Sequence, residues 1–222
     1  TCALPIFNKI NRSEDGYELE LKGGSMLSSD VILIATPYPV MKQMLKPYDF
    51  VADLHNMKAT SVANVALAFD QSAIKEDIDG TGFVVSRNSN YRITACTWTH
   101  KKWPDTAAPA GKALLRCYVG RPGDEEVVDL SDEALEEIVL HDLNKIMKID
   151  GNPLFSVVSR WKDAMPQYSI GHKQVVENLE NGLDSELPGV FVAGSPYRGI
   201  GIPDCIDQGE AAVEKILDYL AE

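Results

Sequence analysis

The chain has 222 residues, 45% of them hydrophobic and 24% charged, with a formal net charge of −12. That composition suits one large globular domain or two small ones. It argues against nucleic acid as a partner, and no run of about 18 apolar residues is present to span a membrane as a helix.

Residues 6 to 35 read as strands. Tyr17 to Leu21 alternates apolar and polar residues, as a half-exposed strand does, between the turn signals Glu14-Asp15-Gly16 and Gly23-Gly24-Ser25. Val31 to Ala35 is continuously apolar, as in a buried parallel strand, and Thr36-Pro37 stops it. A short helix is expected from Pro39 to Leu45. Ser61 to Phe69, Gly82 to Ser86, Ile93 to Thr99 and Ala113 to Val119 follow as strands with no long helix between them, the pattern of an antiparallel sheet. Ser131 is placed to cap a helix whose first turn holds Asp132 and Glu133 and whose apolar face runs through Leu135, Ile138, Val139, Leu143, Ile146 and Met147. Phe155 to Trp161 returns as a strand.

The tail reverts to an α/β pattern. Val175 and Leu179 suggest a short helix, Val190 to Ala193 a strand, Gly194 to Gly201 a Gly-rich loop, and about Pro203 to Leu220 a helix. The fold class is therefore α/β plus α+β. Residues 1–45 and 172–222 form parts of one Rossmann-like domain, and residues 46–171 form an inserted antiparallel-sheet domain. A Rossmann-like domain of these two parts alone lacks an opening βαβ unit, so the expectation is a fragment of a larger protein. No signal-peptide pattern follows Thr1.

Charge is uneven along the chain. Between Val84 and Gly120 stand Arg87, Arg92, Lys101, Lys102, Lys112 and Arg116 against one acid, Asp105. Such an island suits either a local anion site or a solvated face. Cys2, Cys96, Cys117 and Cys205 lack the short spacings of metal or redox pairs, so they read as free thiols of a cytoplasmic protein with no metal site. His100 and His172 are candidate proton carriers. No nucleophilic triad is visible, and the catalytic residues stay unassigned.

The stretch VFVAGSPYRGIGIPDCIDQGEAA, Val190 to Ala212, joins a strand, a Gly-rich loop and a helix N-terminus, where backbone amides can meet a phosphate or a polar ring edge. It resembles the C-terminal flavin-binding segment of the oxygen-dependent protoporphyrinogen and coproporphyrinogen oxidases, most closely the soluble type of Gram-positive bacteria. SVANVALAF, GTGFVVSRNSNYRITACTWTHKKWP, LLRCYVG and RWKDAMPQYSIGHK extend the resemblance over nearly the whole chain. The resemblance implies FAD as cofactor, a partial FAD-binding domain (1–45 and 172–222) and a substrate-binding domain (46–171). It also implies a six-electron oxidation of coproporphyrinogen III or protoporphyrinogen IX in haem biosynthesis, with oxygen as acceptor. Ile200, Gly201, Ile202 and Trp161 carry over to flavin contacts, and Phe7 falls where the family commonly has valine beside the adenine. Thr81, Gly82 and Val84 carry over to the strand flanking the porphyrinogen, with Arg87, Arg92 and Arg116 as partners for its carboxylates. The family's G-x-G-x-x-G pyrophosphate loop is absent from this sequence, so this chain purified alone is expected to be colourless and inactive. The alternatives are another flavin amine oxidase or desaturase sharing the tail, or a folded fragment without activity.

Overall fold

The computed structural model describes residues 7–21, 23–76 and 78–221. In chain order the elements are β1 (Phe7–Ser13), β2 (Gly16–Leu21), β3 (Met26–Ser29), β4 (Ile32–Ile34), α1 (Tyr38–Met44), a 3-10 segment (Asp49–Asn56), β5 (Lys58–Asp70), β6 (Gly82–Val84), β7 (Ile93–Trp98), α2 (Thr99–Lys102), β8 (Lys112–Val119), α3 (Asp132–Met147), β9 (Phe155–Gln167), α4 (His172–Glu186), β10 (Val190–Val192) and α5 (Ile202–Ala221). They fall into two units, Thr1–Lys58 with Pro166–Glu222, and Ala59–Met165.

In the first unit β1, β2 and β3 form an antiparallel meander. The alternation read in Tyr17 to Leu21 turns Tyr17 and Leu19 inward. Tyr17 donates its hydroxyl to the Pro188 carbonyl at 2.7 Å, and burial pushes its pKa up to about 12. β4 and β10 pair in parallel, Ile32 with Val190 and Ile34 with Val192, although about 155 residues separate them. Both strands therefore end at one carboxyl edge. Ile32 and Ile34 are buried while Leu33 is 38% exposed. β4 is thus covered on one face among the described residues, where the unbroken apolar run suggested both.

The unit boundaries lie at Lys58/Ala59 and Met165/Pro166, where the sequence reading set 45/46 and 171/172. The reason is the 3-10 segment, whose Val51 and Leu54 enter the first unit's core beside Leu179 and Leu183 of α4. Phe50 leans on α4 at Gly182, where a Cβ would meet the Phe50 ring at 2.3 Å. Gly182→Ala is expected to push the segment off α4 and to cost about 1–3 kcal/mol, the usual range for overpacking. A lowered urea midpoint for the first unit, with an unchanged slope, is the readout.

The second unit is a five-stranded sheet in the order β6-β7-β8-β5-β9. One face packs Val65, Leu67, Phe69, Leu115 and Cys117 against Leu135, Val139 and Leu143 of α3. α3 begins as expected, with Ser131 Oγ accepting from the Ala134 amide at 3.2 Å. It ends at Lys148, a residue in left-handed conformation with φ 48°. α4 runs 15 residues, longer than Val175 and Leu179 alone suggested. α5 carries the expected apolar row, but Ile206, Val213, Leu217 and Leu220 are all exposed.

Candidate functional site

Most of the residues singled out in the sequence lie on two surfaces, one in each unit. The first is the carboxyl edge of the β4–β10 pair, the edge at which open α/β sheets bind ligands. The loop from Gly194 to Gly201 leaves β10 there and enters α5. Tyr168 fastens both ends of this loop, since its hydroxyl donates to the Ser195 carbonyl at 2.6 Å and accepts from the Gly199 amide at 3.0 Å. Its ring stacks on His172 at 3.8 Å between centroids, 10° from parallel. His172 in turn sets Nε2 2.8 Å from the Tyr197 carbonyl. Two side chains thus hold three backbone groups of the loop. Gln208 adds a fourth tie by accepting from the Arg198 amide at 3.3 Å, while Arg198 makes a two-point ion pair with Glu180.

At the end of this braced loop Ile200 and Ile202 are exposed, at 56% and 77%, and Gly201 lies between them. The Gly201 amide donates to the Asp204 carboxylate at 3.1 Å, half of a capping box. An acid in that position disfavours a phosphate. The helix start therefore suits a neutral polar ring edge and not the pyrophosphate. Phe7 opens β1 through its backbone, and its side chain lies outside the described residues.

Two residues of this edge escaped the sequence reading. Thr36 closes β4 with its hydroxyl buried and unpartnered. Tyr168 offered only its place in the RWKDAMPQYSIGHK stretch. Tyr168→Phe removes both of its hydrogen bonds while keeping the stacked ring. Amide exchange at Gly199 is then expected to accelerate about tenfold, as loss of about 1.4 kcal/mol implies. Exchange in α3 should not change.

The second surface is the face of the five-stranded sheet turned away from α3. Strand register lines its residues into two rows. Val84, Ala95, Tyr118 and Asn64 are successive partners across β6, β7, β8 and β5; so are Gly82, Thr97, Arg116 and Ala66. Three strand spacings make each row roughly 14 Å wide. On β9 the inward residues are fixed by their partners: Ser156 binds Glu136, Val158 joins the core, and Arg160 donates to the Val128 carbonyl at 2.8 Å. Phe155, Val157 and Trp161 therefore point to the other side, where they are 54%, 52% and 59% exposed, and Val84 on the far strand is 85% exposed. The floor is made mostly of small residues, its two edges are apolar, and Arg116 and Tyr118 stand on it. Arg116 donates to the Tyr118 hydroxyl at 2.6 Å.

The structure thus gathers Gly82, Val84, Arg116 and Trp161 on one sheet face. Gly82 has φ +151°, and a Cβ there would meet the Cys96 carbonyl oxygen at 2.4 Å, so only glycine lets β6 close on β7. Thr81 precedes the strand and accepts from the Trp98 amide at 2.9 Å. Arg87 and Arg92 lie off this face, in the β6–β7 connection. Arg87 reaches the Pro122 carbonyl at 3.5 Å, and Arg92 pairs with Asp124 at 3.3 Å. His100 accepts the Leu114 amide on Nδ1 at 3.2 Å. Like His172, it serves the backbone. Among the described residues there is no cluster able to hold a metal ion.

The first unit thus presents a braced Gly-rich loop at a parallel-strand edge, and the second a broad antiparallel sheet. The sequence pattern of the flavin containing amine oxidoreductases matches residues 6–217, and the chain belongs to that family. It is 50% identical over 212 residues to the coproporphyrinogen III oxidase of Bacillus subtilis (strain 168), an alignment covering 96% of this chain and 45% of that protein. With the coproporphyrinogen III oxidase of Staphylococcus aureus it shares 42% identity, over 86% of this chain and 41% of that one. Its fold matches the crystal structure of an Exiguobacterium sp. 255-15 protein assigned as a protoporphyrinogen oxidase, with TM-score 0.84 and 33% identity over 97% of this chain and 46% of that one. Cyclohexylamine oxidase from Brevibacterium oxydans IH-35A shares the fold, with TM-score 0.70 and 17% identity over 97% of this chain and 48% of that one. The chain spans about half the length of the curated relatives it matches. No helix among the described residues is long and apolar enough to cross a membrane.

The residues at the carboxyl edge fit a flavin. The buried Thr36 hydroxyl has a hydrogen bond left to make, Gly194 is open enough that an added Cβ would meet only Pro196, at 3.9 Å, and the Gly199 amide is held in place by Tyr168.

Proposed function

We propose that the whole protein is an FAD-dependent porphyrinogen oxidase of haem biosynthesis, taking coproporphyrinogen III or protoporphyrinogen IX to the porphyrin with oxygen as acceptor. In this reading the first unit is part of the FAD-binding domain and the second is the substrate-binding domain. The observation that carries it is the sheet face of the small residues Gly82, Ala95, Thr97 and Ala66, edged by Val84 and Trp161 and bearing Arg116. A broad, largely apolar macrocycle with carboxylate arms is complementary to such a surface, and a small primary amine is not.

Bound FAD would supply the hydride-accepting chemistry. The chain's own residues bind and orient. Tyr168 and His172 hold the loop that presents Gly201 and Ile202 to the flavin edge. Val84 excludes water from the macrocycle, Trp161 stands at the opposite edge of the face where the resemblance gives it a flavin contact, and Arg116 takes a carboxylate arm. On the sheet face Asp70 pairs with Lys112 at the end of β5 and β8, away from the row of Val84 and Tyr118, and the difficult step belongs to the cofactor. The setting we assign is the cytoplasm, in keeping with Cys96 and Cys117, which stand directly opposed across β7 and β8 as free thiols.

The test offers the whole flavin-loaded protein coproporphyrinogen III in air, against primary and cyclic amines. Growth of porphyrin fluorescence together with peroxide is the expected result. Amine oxidation without porphyrin formation would favour the amine oxidase alternative and sink this reading.

A further inference from the structure

Asn64 sits in the middle of β5, a 13-residue strand. Asparagine is disfavoured within strands, and its same-face neighbours on β5 are Val62 and Ala66. Its amide nitrogen Nδ2 is out of contact with solvent and has no hydrogen-bond partner. A buried donor without an acceptor costs stability and calls for an explanation. The strand would hold an alanine or leucine here at no such cost, so the amide brings nothing to the fold.

Its surroundings give the explanation. Asn64 is the direct cross-strand partner of Tyr118, and Arg116 is the partner of Ala66, one row along the same face. Diagonal neighbours of this kind stand about 7–8 Å apart, within reach of long side chains. The Arg116 guanidinium already lies against Tyr118, bonded to its hydroxyl at 2.6 Å and 5.9 Å from its ring centre. Only one of its five N–H donors is used in that bond. The terminal torsion of asparagine is soft, so the amide can turn outward toward a group on the face. A carboxylate, with two acceptor oxygens and a negative charge, can accept from both Arg116 and Asn64 at once.

We propose that Asn64 is a specificity-determining residue of the substrate face, and that it forms with Arg116 a single subsite for one carboxylate arm of the macrocycle. Tyr118 sets the guanidinium beside the amide. This rests on the function proposed above and adds the residue that reads the arm. Asn64→Asp places a carboxylate against the arm, whereas Asn64→Leu removes the amide and keeps the volume.

The experiment titrates the whole protein and both variants with coproporphyrin III and with its tetramethyl ester, following porphyrin fluorescence, and measures thermal unfolding in parallel. In Asn64→Asp, affinity for the free acid should fall tenfold or more and affinity for the ester less than threefold. Asn64→Leu should lose affinity for the acid alone and melt no lower than the unchanged protein, which a merely structural asparagine would not allow. Equal losses for acid and ester, or a lowered melting temperature with no change in selectivity, overturn the subsite and leave the functional reading standing. If the unchanged protein binds neither porphyrin, the functional reading falls and takes the subsite with it.

Discussion

Asp142→Ala is expected to lower the stability of the second unit by about 3–5 kcal/mol. Asp142 is 2% exposed, on the buried face of α3. One oxygen of its carboxylate accepts two backbone amides at the start of β7, Arg92 at 2.6 Å and Ile93 at 3.0 Å. Hydrogen bonds to a charged acceptor are worth about 1.5–3 kcal/mol each, and removing the acceptor leaves the Ile93 donor buried and unmet. β7 carries Ala95 and Thr97 of the substrate face, so losing its anchor also frays that face. Asp142→Asn retains an acceptor and should lose about half as much. Urea unfolding of the two variants measures this, and a loss below about 1 kcal/mol for the alanine would show that water replaces the carboxylate.

Arg116→Ala should weaken binding of a tetra-carboxylate porphyrin by about 1.5–3 kcal/mol, roughly tenfold or more in Kd. Flavin content should stay unchanged, because Arg116 belongs to the sheet face and not to the loop after β10. Arg92→Ala is the control. Its side chain is 49% exposed and pairs with Asp124 at the surface, an interaction worth little. A two-carboxylate porphyrin should feel the Arg116 change less. If neither porphyrin distinguishes Arg116→Ala from the unchanged protein, the sheet face does not bind carboxylates through this residue.

Much of the framework was legible because it depends on local pattern. The Ser131 cap and the apolar spacing of α3 follow from helix geometry, and the alternation in Tyr17–Leu21 from strand geometry. Two short apolar strands in segments assigned to one domain, β4 and β10, do lie side by side. The basic island was legible only as a count. Arg87, Arg92 and Arg116 look alike in sequence, and register separates them, since only Arg116 falls in a strand with its side chain turned from α3. Asp142 and Asn64 carried a faint signal, an acid within an apolar helix face and an asparagine within a long strand. What each one meets is set by neighbours 49 or more residues away: Arg92 and Ile93 for the first, Tyr118 for the second. Tyr168 carried no signal of its kind at all, because its partners Ser195 and Gly199 come together only through the loop's path. The apolar row of α5 was correctly periodic, yet periodicity does not say whether a face is covered.

If the macrocycle lies on the sheet face of the second unit, a crystal structure of the whole flavin-loaded protein with coproporphyrin III will show it there. The porphyrin plane is then expected against Gly82, Ala95, Thr97 and Ala66, with one carboxylate between Arg116 and Asn64. A porphyrin bound elsewhere, with Arg116 still on Tyr118 and the sheet face bare, would contradict it.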